Sequence, residues 1–441
     1  MIGVPRVGVV LAAGRSERLR AVTGGGSKAL VRLGGLRLVE RAIRTLLATG
    51  VERVVVVVGY HAGPVAAVAQ RTAPGRVHVV EAAGWEEGNA VSLAAAEGSL
   101  GDEPTFLVVT ADSVFAEDAL AEVAGAGRPA VLVDPAPDPE VWKEATKVSV
   151  DPAGRVLELG KDTASPTVDA GALLLPREAF ESVRRSRARG DGSLSGAVTD
   201  LIATAPVTAV PIRSEAWWQD VDTPEDLAEA ARLLRSGLPR PSDGPVARLL
   251  NRRLSVPVSW LLARFGPDPD LLSAVAFVVG LLAAAFLASG LGVAGGILVQ
   301  LCSILDGVDG EVARLQLRAG PRGTLLDGVL DRLGDAAICA ALGIWAIDAG
   351  ASAAVTVLLV VAATSGAMLS MATKDRVAAL GLEPPSERRI GWLLGGRDGR
   401  LLIIAVLSVL GLPQAALTAS AATSLLSAAL RVSFARTVTP S

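Results

Sequence analysis

The second half of this 441-residue chain contains three long stretches without any charged residue. They run from Leu271 to Leu305, from Ala349 to Thr373 and from Leu401 to Leu430. A helix needs about 20 apolar residues to cross a bilayer, so the first and last stretches can each hold two helices joined by a turn. The stretches therefore predict an all-α polytopic membrane domain.

A further apolar run, Leu325–Ile347, is interrupted by acidic residues and brings the prediction to six transmembrane helices. The predicted spans lie near 271–289, 293–316, 324–347, 350–374, 400–411 and 414–433. Lys and Arg cluster before the first span, after the second and fourth spans and near the chain end, whereas the opposite turns have none. By the positive-inside rule we expect a multi-pass protein of the cell (inner) membrane, with the N-terminal domain and both termini in the cytoplasm.

The first 235 residues have a different pattern, in which short Val-rich runs such as Val54–Val58 alternate with Ala-rich runs such as Leu38–Ala48. This alternation is typical of an α/β domain around a mostly parallel sheet. The Pro, Gly and Ser in Ser236–Pro245 mark a linker. The predicted domains are therefore residues 1–235 and 246–441.

Composition narrows the chemistry of both halves. Two histidines and two cysteines in the whole chain exclude a zinc site of His and Cys and a disulfide framework. Catalysis must then depend on carboxylates, Lys, Arg and bound metal. A net charge of −3 argues against a nucleic-acid partner.

Aspartates with regular spacing cross the second and third predicted spans. Asp306, Asp309 and Ala313 share one helical face, and Asp327 and Asp331 form an i, i+4 pair on the next helix. Carboxylates gathered near a membrane surface repel one another unless cations neutralise them, and all-oxygen ligation suits Mg²⁺ or Mn²⁺. Helix-end ion pairs, or a pathway for protons or cations, are the alternative.

The full spacing resembles the signature of the CDP-alcohol phosphotransferase family at every position. It reads Asp306-x-x-Asp309-Gly310-x-x-Ala313-Arg314, eight residues, then Gly323-x-x-x-Asp327-x-x-x-Asp331. The resemblance implies that the four aspartates form a site for two metals bridging the CDP diphosphate, with Asp331 as the base that deprotonates the acceptor hydroxyl. Gly310 and Ala313 leave room for a ligand, and Arg314 can hold a phosphate.

Basic residues between the fourth and fifth spans are candidates for binding a phosphate on the acceptor. They are Lys374, Arg376, Arg388, Arg389, Arg397 and Arg400. Anchoring of the cytoplasmic side of the helices is the alternative role for each of them.

A tight loop of small residues, Ala12, Ala13 and Gly14, follows the first predicted strand. Such a loop presents backbone N–H groups to phosphate, and Arg18 and Lys28 add positive charge. The order of residues is not that of a Walker A loop. An ordinary strand-to-helix turn is the alternative.

These residues, with Gly34-Gly35-x-x-Leu38-Val39-Glu40, resemble the nucleotidyltransferases that join an NTP to a sugar or alcohol phosphate on a Rossmann-like mixed sheet. The resemblance implies catalytic roles for Arg18 and Lys28. It also implies metal ligation by Asp112 and by Asp220 or Asp222, for which capping of a helix near Pro224 is the alternative. The remaining candidates for binding the nucleotide or the sugar phosphate are Gly88, Asn89, Ser92, Lys147 and Lys161.

One half thus resembles an enzyme that makes a nucleoside-diphosphate alcohol, and the other an enzyme that consumes CDP-alcohols. Their fusion indicates that the first product is the second substrate and that the nucleotide is CTP. Among such fusions the chain resembles bifunctional enzymes that make CDP-inositol from CTP and inositol 1-phosphate. These transfer the inositol phosphate to a second inositol 1-phosphate, release CMP and form a phosphorylated di-myo-inositol phosphate, a class of compatible solute.

The resemblance further implies Mg²⁺ or Mn²⁺ in both active sites, a lipid bilayer around the second domain and a homodimer formed through it. Two other functions stay open. One is the same pair of reactions with another CDP-alcohol and a lipid acceptor. The other is a membrane transporter or scaffold with a nucleotide-sensing domain.

Overall fold

The computed structural model describes residues 4–15, 17–213, 215–240, 242–380 and 395–435. The chain folds as two compact units, Met1–Ser236 and Gly237–Ser441. The first is an α/β unit and the second is helical. This agrees with the predicted fold class.

Strands and helices alternate along the first unit. Its strands are β1 (Val7–Ala12), β2 (Arg32–Leu33), β3 (Leu36–Arg37), β4 (Arg53–Val58), β5 (Val77–Glu81), β6 (Thr105–Thr110), β7 (Ser113–Phe115), β8 (Ala130–Asp134), β9 (Lys147–Val150), β10 (Val156–Gly160), β11 (Val168–Pro176), β12 (Thr208–Pro211) and β13 (Trp218–Asp220). Its helices are α1 (Arg20–Thr23), α2 (Leu38–Ala48), α3 (Ala62–Thr72), α4 (Asn89–Ala94), α5 (Ala121–Ala124), α6 (Pro139–Glu144), α7 (Ala179–Ala188), α8 (Leu194–Ile202) and α9 (Pro224–Ser236).

The main sheet has the order β10-β9-β11-β6-β1-β4-β5, with β8 paired to β11 and β12 paired to β8. Strands β6, β1, β4 and β5 are parallel, whereas β11 runs antiparallel to β6, β8 and β9. The sheet is therefore mixed, as predicted. Strand β1 lies between β6 and β4, so the chain that follows β1 leaves an interior strand at the carboxyl edge of the parallel part of the sheet.

Helices cover both faces of this sheet, which explains why β1 and β4 are almost wholly apolar. Val10 and Ala12 of β1 pack with α2 and α3, and Val9 and Leu11 pack on the opposite face with α4, α7 and α8. In α2 the buried side chains recur every three or four residues. The helix begins where the Glu40 carboxylate accepts a 2.7 Å hydrogen bond from the Arg37 N–H.

The second unit consists of helices. After a π-helical turn, Ala247–Asn251, come α10 (Arg252–Ala263), α11 (Pro269–Ala288), α12 (Gly292–Leu315), α13 (Pro321–Asp348), α14 (Ala353–Ala379), α15 (Arg397–Val409) and α16 (Pro413–Ala435). Each of the six predicted spans coincides with one of the helices α11 to α16.

Four helices of the described chain are long and apolar enough to cross a membrane: α11, α12, α14 and residues Pro413–Phe434 of α16. Helix α13 is long enough but carries several charged residues, and α15 has 13 residues. The membrane character of the unit is therefore supported, and the count of six spans stays a prediction.

Small residues bring the helices of this unit close together. A Cβ on Gly296 of α12 would lie 2.6 Å from the carbonyl oxygen of Ala405 on α15. No side chain larger than that of glycine fits there. Large apolar side chains such as Val278 and Leu358 lie instead on the exposed sides of α11 and α14, where a bilayer would cover them.

Candidate active sites

The loop after β1 lies at the carboxyl edge of the first unit's sheet. Ala12 and Ala13 are buried, and Gly14 is exposed. A Cβ on Gly14 would meet no atom within 4 Å, so there is open space beside the loop. The backbone therefore has room to approach a ligand at this point.

Lys28 lies between two carboxylates from distant parts of the chain. Its Nζ pairs with the carboxylate of Asp112 and lies 2.6 Å from Asp222 Oδ1. Burial of the amine opposes its charge, but the attraction of the two carboxylates outweighs burial and raises the pKa of Lys28. Lys28 is therefore a fixed positive charge in this site.

Asp220 is brought to the same place by the short strand β13, which pairs with β7 so that Asp220 lies opposite Ser113. Ser113 donates a hydrogen bond to Asp220 Oδ1. Burial, and then the negative charge of Asp112, raise the pKa of Asp220 to about 7. Partly buried carboxyl groups that lie close enough for the charge of one to raise the pKa of another are a suitable donor set for a cation.

Asp222 has different partners. Its Oδ1 lies next to Lys28, and its Oδ2 lies 2.6 Å from an Arg18 NH group. The cap of α9 is made instead by Thr223 and Asp226, because Thr223 N–H donates to Asp226 Oδ2 (2.8 Å) and Asp226 N–H donates to Thr223 Oγ1 (3.2 Å). The structure thus brings together Arg18, Lys28, Asp112, Asp220 and Asp222, and the helix cap does not need either of the last two carboxylates.

The other residues predicted for the first site are placed in several ways. Gly88 has a φ of 135° and packs against the backbone of Gly192, and Asn89 is exposed beside it. Ser92 is 1% exposed and donates to the Gly88 carbonyl, so its hydroxyl is used inside the fold.

Lys147 and Lys161 also differ from each other. Lys147 is buried, with its Nζ 4.8 Å from the centre of the Trp142 ring and 3.3 Å from the Lys143 carbonyl oxygen. Lys161 is exposed in the turn after β10. The amine of Lys161 is therefore exposed to a phosphate ligand, whereas the amine of Lys147 already contacts a carbonyl oxygen and an aromatic ring.

Sequence reasoning missed two neighbours of this site. Glu144 Oε2 lies 2.6 Å from an Arg18 NH group. Tyr60, the single tyrosine of the chain, donates from its backbone N–H to the Ala13 carbonyl, and its ring lies 6.0 Å from that of Trp85. The only sequence signal for Tyr60 is that tyrosine occurs once in the chain. Glu144 belongs to no sequence motif that would predict its position in the site.

In the second unit, three of the four predicted aspartates converge. Carboxylate oxygens of Asp306 on α12 and of Asp327 and Asp331 on α13 all lie within 4.8 Å of one another. Asp309 is buried nearby, and its carboxylate accepts hydrogen bonds from Ser273 of α11 and from the Gly310 N–H. Three oxygen donors at this spacing fit a hard divalent cation such as Mg²⁺ or Mn²⁺.

A basic side chain from α15 reaches this carboxylate cluster. An Arg397 NH group lies 2.8 Å from Asp306 Oδ2 and 2.9 Å from Asp331 Oδ1, and Arg397 Nε lies 3.1 Å from Asp335 Oδ1. Asp335 continues the Asp327–Asp331 stripe by one more turn of α13. The sequence therefore held a signal for Asp335, which the prediction did not use.

The small residues of the motif lie on α12. A Cβ on Gly310 would lie 3.3 Å from an NH group of Arg314, and Ala313 is buried. Arg314 donates a 2.8 Å hydrogen bond to the carbonyl oxygen of Leu238. The guanidinium of Arg314 thus contacts the segment that precedes α10.

A cavity of about 710 Å³ opens beside Asp306 and Asp331. Six basic residues line it: Arg240, Arg248, Arg252, Lys374, Arg397 and Arg431. Two smaller clefts of about 10 Å³ each lie between the helices; Asp331 and Asp335 line one, and Asp306, Asp327 and Asp331 line the other. Four acidic residues, Asp243, Asp306, Asp331 and Asp398, also line the large cavity, so its lining has an excess of two basic side chains.

The predicted acceptor-binding residues divide between cavity and surroundings. Lys374 and Arg397 line the cavity, whereas Arg400 is buried 3.6 Å from Asp335 Oδ2 and Arg376 is exposed on α14. Arg388 and Arg389 lie outside the described residues. Arg431, which the sequence analysis did not select, lines the cavity and donates to the Ser370 carbonyl at 2.8 Å.

Comparison with known families matches each unit separately. Residues 8–200 match the MobA-like NTP transferase domain, and residues 268–430 match the CDP-alcohol phosphatidyltransferase family. The bifunctional IPC transferase and DIPP synthase of Rubrobacter xylanophilus is 35% identical over 416 residues, which cover 94% of this chain and 92% of that protein. The chain belongs to its family.

A second bifunctional IPC transferase and DIPP synthase, from Aquifex aeolicus, is 32% identical over 413 residues, covering 91% of this chain and 92% of that one. The solved inositol-1-phosphate CTP transferase from T. maritima is 26% identical, with a TM-score of 0.48, and the match covers 54% of this chain and 99% of that one. As a member of the bifunctional IPC transferase and DIPP synthase family, the chain is an enzyme with a nucleotidyltransferase unit and a CDP-alcohol phosphotransferase unit. Family membership confirms the predicted enzyme class and rejects the alternative prediction of a transporter or scaffold.

Proposed function

We propose that the first unit makes CDP-inositol from CTP and inositol 1-phosphate, and that the second unit transfers the inositol phosphate to another inositol 1-phosphate. CMP and a phosphorylated di-myo-inositol phosphate are the products. The observation that carries the proposal is that each unit holds its own cluster of partly buried carboxylates beside basic side chains. Both clusters occur in a chain that aligns with bifunctional relatives over nearly its full length.

In the first reaction a phosphate oxygen of inositol 1-phosphate attacks the α-phosphorus of CTP, and pyrophosphate leaves. Such a step needs neutralisation of phosphate charge more than it needs a base. The loop Ala12–Gly14, Arg18 and Lys28 are placed to supply that neutralisation. Lys161 and Lys147 are the proposed contacts of the sugar phosphate, and Gly88 and Asn89 those of the nucleoside.

The proposed metal ligands of the first site are Asp112 and Asp220. Asp112 and Asp222 both pair with Lys28, but both oxygens of Asp222 contact cations because it also pairs with Arg18. We therefore assign Asp222 the role of orienting those two cations. A divalent ion held there would neutralise the phosphates of CTP.

In the second reaction a hydroxyl of the acceptor attacks the β-phosphorus of CDP-inositol, and CMP leaves. Asp331 is the proposed base that takes the hydroxyl proton, because its carboxylate lies both in the cluster and on the wall of the large cavity. Asp306, Asp309, Asp327 and Asp331 are the proposed ligands of Mg²⁺ or Mn²⁺, which would neutralise the diphosphate. Gly310, Ala313 and Arg314 are the proposed neighbours of the CDP moiety.

We favour a soluble, phosphorylated acceptor over a lipid because of the charges that line the second site. The cavity of about 710 Å³ is lined by six basic and four acidic side chains, and the excess of basic side chains suits a phosphate monoester. Lys374 and Arg397 are the proposed phosphate contacts.

We further propose the predicted domain boundaries, 1–235, 236–245 and 246–441, and the six-span topology with both termini in the cytoplasm. Arg248, Lys374 and Arg431 all line the large cavity, as expected if this cavity opens on the cytoplasmic side of the membrane. A homodimer formed through the membrane unit is part of the proposal.

The decisive experiment supplies membranes that contain the protein with CTP, Mg²⁺ and individual alcohol phosphates, and follows pyrophosphate and then CMP. Inositol 1-phosphate is expected to release both. Membranes without the protein are the control. A radiolabelled product that partitions into organic solvent, or release of CMP only with a different alcohol phosphate, would replace this substrate assignment by the lipid-acceptor alternative.

A further inference from the structure

The segment between α9 and the π-helical turn, residues 237–246, is attached to the second unit. We call it the connecting segment; Pro241 lies outside its described residues. Leu238 is buried, and its carbonyl oxygen accepts the hydrogen bond from Arg314 of α12. A segment whose composition predicts a linker is thus fixed at its first residues by a side chain of the aspartate motif.

A second attachment lies at the other end of the connecting segment. Arg252 Nε and one NH group contact the two oxygens of Asp243 at 2.8 and 3.1 Å, and the other NH group lies 2.7 Å from Glu311 Oε1. That same NH group lies 3.4 Å from the Gly307 carbonyl oxygen. Every nitrogen of this guanidinium therefore has a protein partner, so Arg252 holds structure together even though it lines the cavity.

Glu311 anchors this chain of charges inside the helices. Its carboxylate is 0% exposed and also accepts hydrogen bonds from Ser255 and Ser259 of α10, at 2.7 and 2.6 Å. Glu311 follows Asp309 by two residues, which turns it to the opposite side of α12 from the carboxylate cluster. A buried carboxylate with this many partners fixes α10 and the connecting segment against the helix that carries Asp306.

The connecting segment thereby forms one side of the large cavity. Arg240, Ser242, Asp243 and Gly244 line the same space as Asp306 and Asp331. Arg240 is exposed, and its guanidinium forms no ion pair within the described part of the chain. It is the cation of this wall that is available to a ligand.

We propose that the connecting segment is a wall of the phosphotransferase cavity, in which Arg240 binds the phosphate monoester of the acceptor and Asp243, Arg252 and Glu311 are positioning residues. The proposal rests on the proposed function for the identity of the acceptor. The position of the wall is independent of that identity. The chain between the two units is then part of the second active site as well as a connection.

Kinetics of the second reaction test the wall. With CDP-inositol supplied, Asp243→Asn and Arg240→Gln are expected to raise the KM for inositol 1-phosphate about tenfold or more, with kcat near the wild-type value. Asp243→Glu should recover most of the loss, because it keeps the charge that Arg252 binds. Glu229→Gln and Arg232→Gln, which break an exposed ion pair of α9, are the matched controls. A wild-type KM in Asp243→Asn and Arg240→Gln, or a fall in kcat at unchanged KM, would overturn the proposal.

Hydrogen exchange of the full-length protein in detergent tests the wall without any substrate. The N–H groups of Asp243 and Arg248 are bonded to the carbonyls of Arg240 and Gly244, so residues 237–248 should exchange slowly in the wild type. Glu311→Gln should accelerate exchange there and leave the first unit's sheet unchanged. If residues 237–248 of the wild type exchange as fast as a free peptide, the proposal that this segment is a wall of the cavity is contradicted. Slow exchange in a protein that releases no CMP with inositol 1-phosphate supports the wall and contradicts the proposed acceptor instead.

Discussion

Asp335 Oδ1 lies 3.1 Å from Arg397 Nε, and this contact leaves an NH group of Arg397 directed at Asp306 and Asp331. Asp335 thus acts on the carboxylate cluster through a neighbouring arginine. The pair connects α13 with α15, at the place where the cavity meets the cluster. The pair therefore sets the direction of a positive charge beside the carboxylate cluster.

Loss of this charge pair should slow the second reaction. In Asp335→Asn the Arg397 guanidinium loses its strongest fixed partner outside the cluster, and we expect kcat for CMP release to fall on the order of 10²-fold. Asp348→Asn, at the exposed end of the same helix, is the control. The pair is unimportant for catalysis if CMP release in Asp335→Asn matches that of Asp348→Asn.

Removal of the proposed base should separate the two reactions. Asp331→Asn cannot accept the proton of the acceptor hydroxyl, so CMP release should fall about 10³-fold while pyrophosphate release continues. CDP-inositol should then accumulate, which chromatography of the nucleotides detects. Equal loss of pyrophosphate and CMP in this variant would show that the two units do not divide the reactions as proposed.

The reverse separation is expected from Asp112→Asn. This substitution removes a carboxylate beside Lys28 and Asp220, so pyrophosphate release should fall on the order of 10²-fold or more. CMP release from supplied CDP-inositol should stay at the wild-type rate. Asp118→Asn, a nearby exposed aspartate, serves as the control, and a deficit in CMP release from supplied CDP-inositol would contradict the assignment.

Asp220 and Asp222 should differ in their dependence on Mg²⁺. Asp220→Asn removes a proposed ligand, so the Mg²⁺ concentration for half-maximal pyrophosphate release should rise several-fold. Asp222→Asn loosens Lys28 and Arg18, so the KM for CTP should rise while the Mg²⁺ dependence changes little. Titration of Mg²⁺ at saturating CTP distinguishes them, and the opposite pattern would exchange their roles.

Regular spacing explains which parts of the site the sequence could predict. Asp306, Asp327 and Asp331 were predicted together because helical periodicity fixes the face on which each lies, and the cluster follows once two helices pack. The alternation of Val-rich and Ala-rich runs likewise predicts an α/β domain with a mostly parallel sheet, and the mixed sheet is implied by the family resemblance. Periodicity does not set the direction of a side chain, and Asp309 is held by Ser273 of another helix.

The remaining contacts depend on tertiary packing and have no local signal. Lys28 and Asp222 are 194 residues apart in the chain, and Glu144 reaches Arg18 from a helix with no motif. Glu311 occupies a variable position of the aspartate pattern, so its burial became apparent only when α10 was seen against α12. The Pro, Gly and Ser of residues 236–245 predict a linker, and they do not indicate that the segment is held by two side-chain contacts.

The contact between Gly296 and the Ala405 carbonyl has a consequence for the whole second unit. Because the two backbones are in contact there, the short helix α15 cannot shift along α12 without a steric clash. The position of Arg397, in the first turn of α15, is fixed by the same contact. The absence of a Cβ at Gly296 therefore determines how far along α12 the Arg397 side chain lies. Even alanine at this position would displace α15 and move the Arg397 guanidinium, although Gly296 contacts none of the proposed substrates.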